Sequence, residues 1–414
     1  MSLIKFKYYN YKNSFLFGKN KYSSNLNNKI NSFKNEIKAI DSLKIVLNKD
    51  QLKELKKISN NIKNVFEHYC IVGIGGSTLG SQALINILPE KKKNRFFFYE
   101  NIDPISFEDS LKKHNLKKTI FIIISKSGFT AETLALFGAL IEIYERKKLK
   151  KYISRNFICI TEKKYSPLSY IAKELKIRSI VHNKNIGGRF SVFSNVGLFP
   201  AYLAGFNTNL FIRGAREVLF EAINGSYKFH IAGAMSTILL NDLKKININV
   251  LFTYSDYLLK FGSWYKQLWS ESIGKNSFST TPMHSIGAID QHSQIQLYLD
   301  GPKDKYFTFI TTEHNKKGLL INNKILKKSE LSYLSGKKIG DLMQAEQKAT
   351  IQTLINKKIP IREIFIKEIN EKTLGSLMMH FVLETIFASR ILKINAFDQP
   401  AVEKGKILTK KYIK

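Results

Sequence analysis

With 414 residues the chain is long enough for two domains of ordinary size, each burying its own core, and a single core is disfavoured. The formal net charge of +33 suggests nucleic acid or an anionic membrane. The lysines are scattered among Asn and Ile, with no basic block or aromatic-studded stripe, so they read as a solvated surface with at most a weak steering field for anionic substrates. Cys70 and Cys159 lie in or beside apolar strands without CxxC spacing, which supports neither a disulfide framework nor a zinc site. No apolar run approaches the roughly 18 residues of a spanning helix and the first 20 residues lack a signal-like core, so a soluble, cytoplasmic protein is expected.

In chain order, residues 1–45 read as an irregular arm, followed by a polar helix at 49–67. Strands at 69–74, 96–99, 119–124 and 157–160 then alternate with helices at 77–88 and 131–146, which predicts an α/β fold with a parallel, doubly wound sheet. A helix at 209–223 leads to a second set, with strands at 246–253 and 306–312 and a helix at 256–270, so the architecture repeats. Open sheets of this kind take ligands at the carboxyl ends of their strands, and a cleft between the two sheets is the expected site. A last helix at 374–392 leads into 395–406, too polar and Gly/Pro-marked to continue it. The expected division is an N-terminal arm, 1–45; a first domain, 46–205; a second domain, 206–393; and a C-terminal segment, 394–414.

Six segments carry chemistry. Gly73 to Gly80, GIGGSTLG, follows the first strand and opens a helix. It fails the dinucleotide fingerprint at Thr78 and the P-loop pattern at Ser81, although Glu100 and Asp103 fall where a ribose-binding acid would. What remains is a turn that lets backbone approach a ligand closely, with Ser77 at the helix start. Ser125-Lys126-Ser127-Gly128-Phe129-Thr130, between a strand and a helix, offers hydroxyls, one ammonium and unpaired helix N–H groups, which together suit a phosphate. Phe129 is an odd residue for such a loop and reads as a packing residue.

Arg189, after Gly187 and Gly188, is placed to turn a permanently charged fork of donors into a cleft, toward an oxyanion that develops during reaction. Gln267 and Glu271 share one helix face, where Glu271 is sheltered enough to serve as a general base; the plain alternative is a solvated glutamate facing Lys275. His292 has the most polar surroundings of the eight histidines, whereas His68, His230 and His380 read as core residues, and no pair has metal-ligand spacing. Phe397 to Lys406, FDQPAVEKGK, carries Phe, Pro and Val that argue for docking rather than a disordered basic tail.

Taken together, GIGGSTLG, SKSGFTAET, GGRFSVFSNVGL, QLWSESIGK, TPMHSIGAIDQHSQIQLYLDGP and FDQPAVEKGK, in that order over most of the chain, resemble the phosphoglucose isomerase family, built from two sugar-isomerase domains. The resemblance implies interconversion of glucose 6-phosphate and fructose 6-phosphate without metal or organic cofactor. It implies Glu271 as the base that moves a proton between C1 and C2, Arg189 as the stabiliser of the enediolate, and His292 with Lys406 in ring opening. Ser125, Lys126, Ser127 and Thr130 would bind the phosphate, Gly76 and Ser77 would lie close to the sugar, and Gln267 and Gln399 would hydrogen-bond it. A homodimer is implied, with His292 contributed across the interface; nucleic acid and membrane are not expected partners. Phe129 stands where the family often has a small residue, and Ala401 replaces a more frequent glycine. Another phosphosugar isomerase, acting on mannose 6-phosphate or an amino sugar phosphate, and a phosphosugar-binding regulator without catalysis remain the alternatives.

Overall fold

Runs of Ile, Phe and Val too apolar to face water on either side organise the chain into sheets. The computed structural model describes residues 4–11, 35–48, 50–224, 246–322 and 324–413, with scattered positions between 225 and 245. Its strands are β1 (Ile4–Tyr9), β2 (His68–Val72), β3 (Phe96–Tyr99), β4 (Thr119–Ile124), β5 (Phe157–Glu162), β6 (Arg178–His182), β7 (Ile248–Thr253), β8 (Thr281–Ile286), β9 (Lys305–Thr312), β10 (Leu320–Ile321), β11 (Lys337–Lys338) and β12 (Ile361–Ile366). The helices that frame the site are α1 (Leu79–Asn86), α2 (Ala131–Arg146), α3 (Asn195–Leu203), α4 (Thr208–Ile223), α5 (Leu259–Ile273), α6 (Ile339–Asn356), α7 (Glu371–Ile391) and α8 (Glu403–Ile413).

The first sheet is parallel throughout, in the order β3-β2-β4-β5-β6. Every residue of β4 is buried, as a central strand covered on both faces requires. The chain moves outward from β2 to β3, then crosses back to β4 and continues the other way, so the crevice between the carboxyl ends of β2 and β4 is a topological switch point. The second sheet, β1-β12-β9-β7-β8, is parallel except for β1, and β10 pairs with β11 apart from it. Helix α5 runs back along this sheet and packs against α1 of the first unit, while α7 packs along α4.

The structure departs from the sequence reading in several places. Within the expected irregular arm, Ile4–Tyr9 is a strand that pairs antiparallel with β12, Ile4 opposite Ile366. Strands β6, β8 and β12 and helix α6 were not expected: β6 and β8 are edge strands with polar or Pro positions, and β12 carries Arg362 and Glu363 in mid-strand. The C-terminal segment is not irregular throughout, since Glu403–Ile413 is helical. Helix α7 is long and apolar enough to span a membrane, although no single apolar run signals it; 94% of its apolar window is buried, so it serves as a core helix. Cys70 and Cys159 are buried free thiols, and His230 and His380 are buried.

Arg362 would be costly inside a sheet were it not paired. Its Nη1 donates to Glu384 Oε2 on α7 at 2.6 Å and its Nε to Thr308 Oγ1 at 3.2 Å, with both charged side chains 1% exposed. Burial pushes the Glu384 carboxyl up, but Arg362 and His380 together outweigh it and hold the group below its ordinary value. A carboxylate shifted down contributes stability that is complete above its unfolded value and is lost as pH falls through the folded one. Glu384→Leu leaves the Arg362 charge uncompensated, and chemical denaturation at neutral pH should show a loss of about 3–5 kcal/mol; a change under 1 kcal/mol would mean the pair adds nothing.

Candidate active site

Two loops meet at the switch point of the first sheet. After β2, Gly75 adopts a φ of +58°, and Gly76 approaches the Gly188 backbone so closely that a Cβ there would overlap it. A Cβ on Gly73 would lie 2.9 Å from the Ile124 carbonyl at the end of β4, so the turn is wedged against the start of the second loop. Ser77 belongs to a short 3-10 turn, and no side chain caps it or the helix that follows. Glu100 does not face a ribose pocket: it accepts hydrogen bonds from Thr78 and Gln82, while Asp103 caps a helix by accepting from Ser106 N. These contacts use up the acids that kept the dinucleotide reading open.

After β4, Ser125 Oγ lies 2.9 Å from Thr130 Oγ1 and accepts from Gly128 N at 3.1 Å. Ser127 Oγ accepts from Phe129 N, and Gly128, at φ +72°, sits against Ser166, which leaves no room for a Cβ. Thr130 is the N-cap of α2 without a side-chain cap bond, so the first-turn N–H groups stay available to an anion. Lys126 Nζ is 3.7 Å from Glu162 Oε1, and Lys164 holds the other oxygen of Glu162 at 2.9 Å. Burial pulls Lys126 below its ordinary lysine value against the pull of Glu162. Phe129, expected to pack, is 58% exposed, so it lines the outside of the cradle.

A short turn after β6 delivers Arg189, which is only 2% exposed. Its Nε donates to Ser272 Oγ at 2.8 Å, and its Nη1 to Glu271 Oε2 at 3.1 Å and Gln399 Oε1 at 2.8 Å. Its Nη2 donates to the carbonyls of Ala396 and Asp398. Glu271 Oε1 in turn accepts from Gln267 Nε2 at 2.9 Å, one helical turn earlier on α5. Glu271 is 30% exposed and faces Arg189; Lys275 turns instead to Asp398 at 2.6 Å. A cavity of about 820 Å³ opens onto Glu271 and Gln399 and is lined also by Lys275, Phe278, Lys393 and Asp398.

Thus Gly76, Arg189, Gln267, Glu271 and Gln399 are brought together, and the wedge of Gly73 against β4 adjoins them to the cradle of Ser125, Lys126, Ser127 and Thr130. The cluster sits at the carboxyl end of the first sheet only, not between the carboxyl ends of both sheets as expected. Helix α5 passes antiparallel to β8: Gly262 lies against His284, and Trp269 Nε1 donates to Thr280 Oγ1 at 3.1 Å. Glu271 therefore stands by the amino end of β8, while His292 follows its carboxyl end and is exposed. Lys406, on α8, pairs with Glu403 at 2.7 Å on a helix with no buried residue. Neither reaches Glu271 within this chain. Ser272 and Asp398, which complete the Arg189 environment, were missed from sequence, although both lie inside motifs already singled out.

The Lys126 geometry predicts the pH dependence of anion binding. Because its folded value is depressed, the ammonium is lost at lower pH than on a free lysine. Calorimetric affinity for inorganic phosphate should therefore weaken as pH rises from about 8, where phosphate is already a dianion. Lys126→Arg should remove that fall, since a guanidinium keeps its charge; a fall that persists in the variant assigns it to another group.

A family model described as phosphoglucose isomerase matches residues 35–414. The chain is 34% identical over 389 residues to a glucose-6-phosphate isomerase of Carboxydothermus hydrogenoformans, covering 88% of this chain and 82% of that protein. It is 36% identical over 357 residues to the glucose-6-phosphate isomerase of Campylobacter jejuni, covering 84% and 86%. Among solved structures, a hypothetical protein from Thermus thermophilus superposes with a TM-score of 0.87 at 28% identity, over 99% of this chain and 100% of that one. A glucose-6-phosphate isomerase from Chlamydia trachomatis gives 0.77 at 25% identity, over 88% and 73%.

Proposed function

The chain belongs to the phosphoglucose isomerase family, and from that membership we propose how its residues carry out the aldose–ketose interconversion of glucose 6-phosphate and fructose 6-phosphate. The observation that carries the reading is the Glu271 carboxylate, held by Gln267 on one oxygen and Arg189 on the other, beside a glycine turn and a phosphate cradle. Ser125, Lys126, Ser127 and Thr130 anchor the phosphate, which leaves the other end of the sugar to the Gly76 and Ser77 turn and to Glu271.

On the open-chain aldose, Glu271 removes the C2 proton and the electron pair moves through C1 onto the carbonyl oxygen. The resulting enediolate carries its negative charge where the permanent cation of Arg189 stabilises it. Glu271 then returns the proton to C1 while the O2 hydroxyl proton passes to O1, which completes the ketose with atoms and charge balanced. Gln267 keeps the carboxylate aimed, and Gln399 hydrogen-bonds the sugar hydroxyls. His292 and Lys406 move protons on the ring oxygen and its hydroxyl. Since His292 lies at the opposite end of β8 from Glu271, it serves the site of a second copy, and the working unit is a homodimer.

Glu271→Gln should lower kcat by about 10²- to 10⁴-fold, the span of general-base catalysis, in a coupled assay with fructose 6-phosphate, while calorimetric sugar-phosphate affinity is retained. Full activity would remove Glu271 as the base.

The shared site has its own test. Glu271→Gln and His292→Ala chains, each inactive alone, should regain activity when unfolded and refolded together, because one site of each mixed dimer then carries both intact residues. No recovery in a mixture proven to contain mixed dimers would return His292 to its own chain's site.

A further inference from the structure

A guanidinium has five N–H donors in a rigid fork, and every one of those on Arg189 is taken by the protein: Nε by Ser272, Nη1 by Glu271 and Gln399, Nη2 by the carbonyls of Ala396 and Asp398. The Nε and Nη2 partners are a buried hydroxyl and two main-chain carbonyls, while the Nη1 partners are side chains that line the cavity. While Nε and Nη2 stay seated, an oxyanion can therefore reach Arg189 only at Nη1.

That seat is a loop without regular structure, and one lysine ties it down. Lys275 Nζ donates to Asp398 Oδ1 at 2.6 Å, to Asp398 O at 2.9 Å and to Asn395 O. The Asp398 carbonyl thus accepts from Lys275 and Arg189 together. Lys275 is 14% exposed and lies two residues beyond the end of α5, whose last turn carries Glu271. The hydrogen bond from Lys275 holds the Asp398 carboxyl below its usual range, so Asp398 is ionised at neutral pH. Asn395 Nδ2 to Asp398 Oδ2 at 3.1 Å and the Phe397 ring on Phe190 at 5.0 Å complete the loop, but neither ties it to α5.

We infer that Lys275 is a positioning residue for the isomerisation: its ammonium locks residues 395–398 to the end of α5 as a main-chain seat for Arg189 Nη2, which leaves Nη1 as the face offered to the enediolate. The inference rests on the assignment of Arg189 to that intermediate. One helix end then sets the base and, through Lys275, the seat of the oxyanion partner.

The test compares wild type, Lys275→Met, Lys275→Arg, Asp398→Asn and Arg189→Lys as full chains. Inhibition is measured with two sugar phosphates, a five-carbon aldonic acid 5-phosphate, whose planar carboxylate mimics the enediolate, and glucitol 6-phosphate, which has no such group. Lys275→Met should lower kcat by about ten- to a hundredfold, the cost of a misplacement on the order of 1 Å, with KM changed less than about threefold. It should lose affinity for the carboxylate by a similar factor and keep its affinity for the polyol. Lys275→Arg should recover part of the loss. Asp398→Asn, which leaves both carbonyls on Lys275, should lose less than about tenfold in kcat and show the same selective loss, so it serves if Lys275→Met fails to fold. Equal loss of both inhibitors, or unchanged kcat, overturns the seat. Arg189→Lys separates the two readings: if it keeps the preference for the carboxylate, the assignment of Arg189 fails, whereas its loss there with none in the Lys275 and Asp398 variants sinks the seat alone.

Discussion

A guanidinium buried to 2% exposure must satisfy all its donors or destabilise the fold, and around Arg189 that requirement joins three distant parts of the chain. The turn after β6 supplies the arginine, the end of α5 supplies Glu271 and Ser272, and the segment before α8 supplies Ala396, Asp398 and Gln399. Burial pulls Arg189 below its ordinary value while Glu271 and Asp398 pull the other way, so the charge is held by its neighbours rather than by water. The Gly188 backbone pressed on Gly76 completes the junction, because no residue with a Cβ at Gly76 lets the two turns approach so closely. The same contacts that close the structure also aim the acid and the cation at one point.

The cradle after β4, proposed to hold the phosphate, is organised on a different principle. Ser125, Gly128 and Thr130 satisfy one another through local hydrogen bonds, so the cradle is shaped before any ligand enters. Lys126 and Lys164 share the Glu162 carboxylate, which offsets one of the two positive charges and leaves the cradle net positive. The ammonium of Lys126, half-buried and already desolvated, has less hydration to lose than a free lysine when a phosphate arrives. The net charge of +33 adds at most a diffuse attraction; discrimination lies in this local geometry.

Strands β4 and β5 and helices α2 and α5 were legible because their apolar runs and periodicity are local properties. Strand β12 was not, since Arg362 and Glu363 read as surface residues until Glu384 and Tyr9 are brought beside them by α7 and β1. The alternation along β6 and the proline in β8 hide edge strands for the same reason: what makes them strands is a neighbour far away in sequence. In the site, the motifs identified which residues carry chemistry but not which of them meet. The spacing of Gln267 and Glu271 is helical and readable, whereas the link from Lys275 to Asp398 spans two motifs and exists only in the folded chain.

The division of the site between near and far residues follows from the direction of α5. A helix that starts after the carboxyl end of β7 and runs back must deliver its last turn to the opposite edge of its own sheet, and 15 residues at about 1.5 Å each carry Glu271 ~20 Å from the loop that bears His292. The first sheet meets that last turn with its own carboxyl edge, so the groups proposed as phosphate anchor, base and oxyanion partner all lie within one chain. The groups proposed for ring opening, His292 and Lys406, lie instead on exposed elements that touch none of them. The proton transfer proposed between C1 and C2 is sensitive to misplacements on the order of 1 Å, and the Arg189 junction fixes the proposed base and cation within a single folded chain, whereas the proposed ring-opening groups stand on separate, exposed elements.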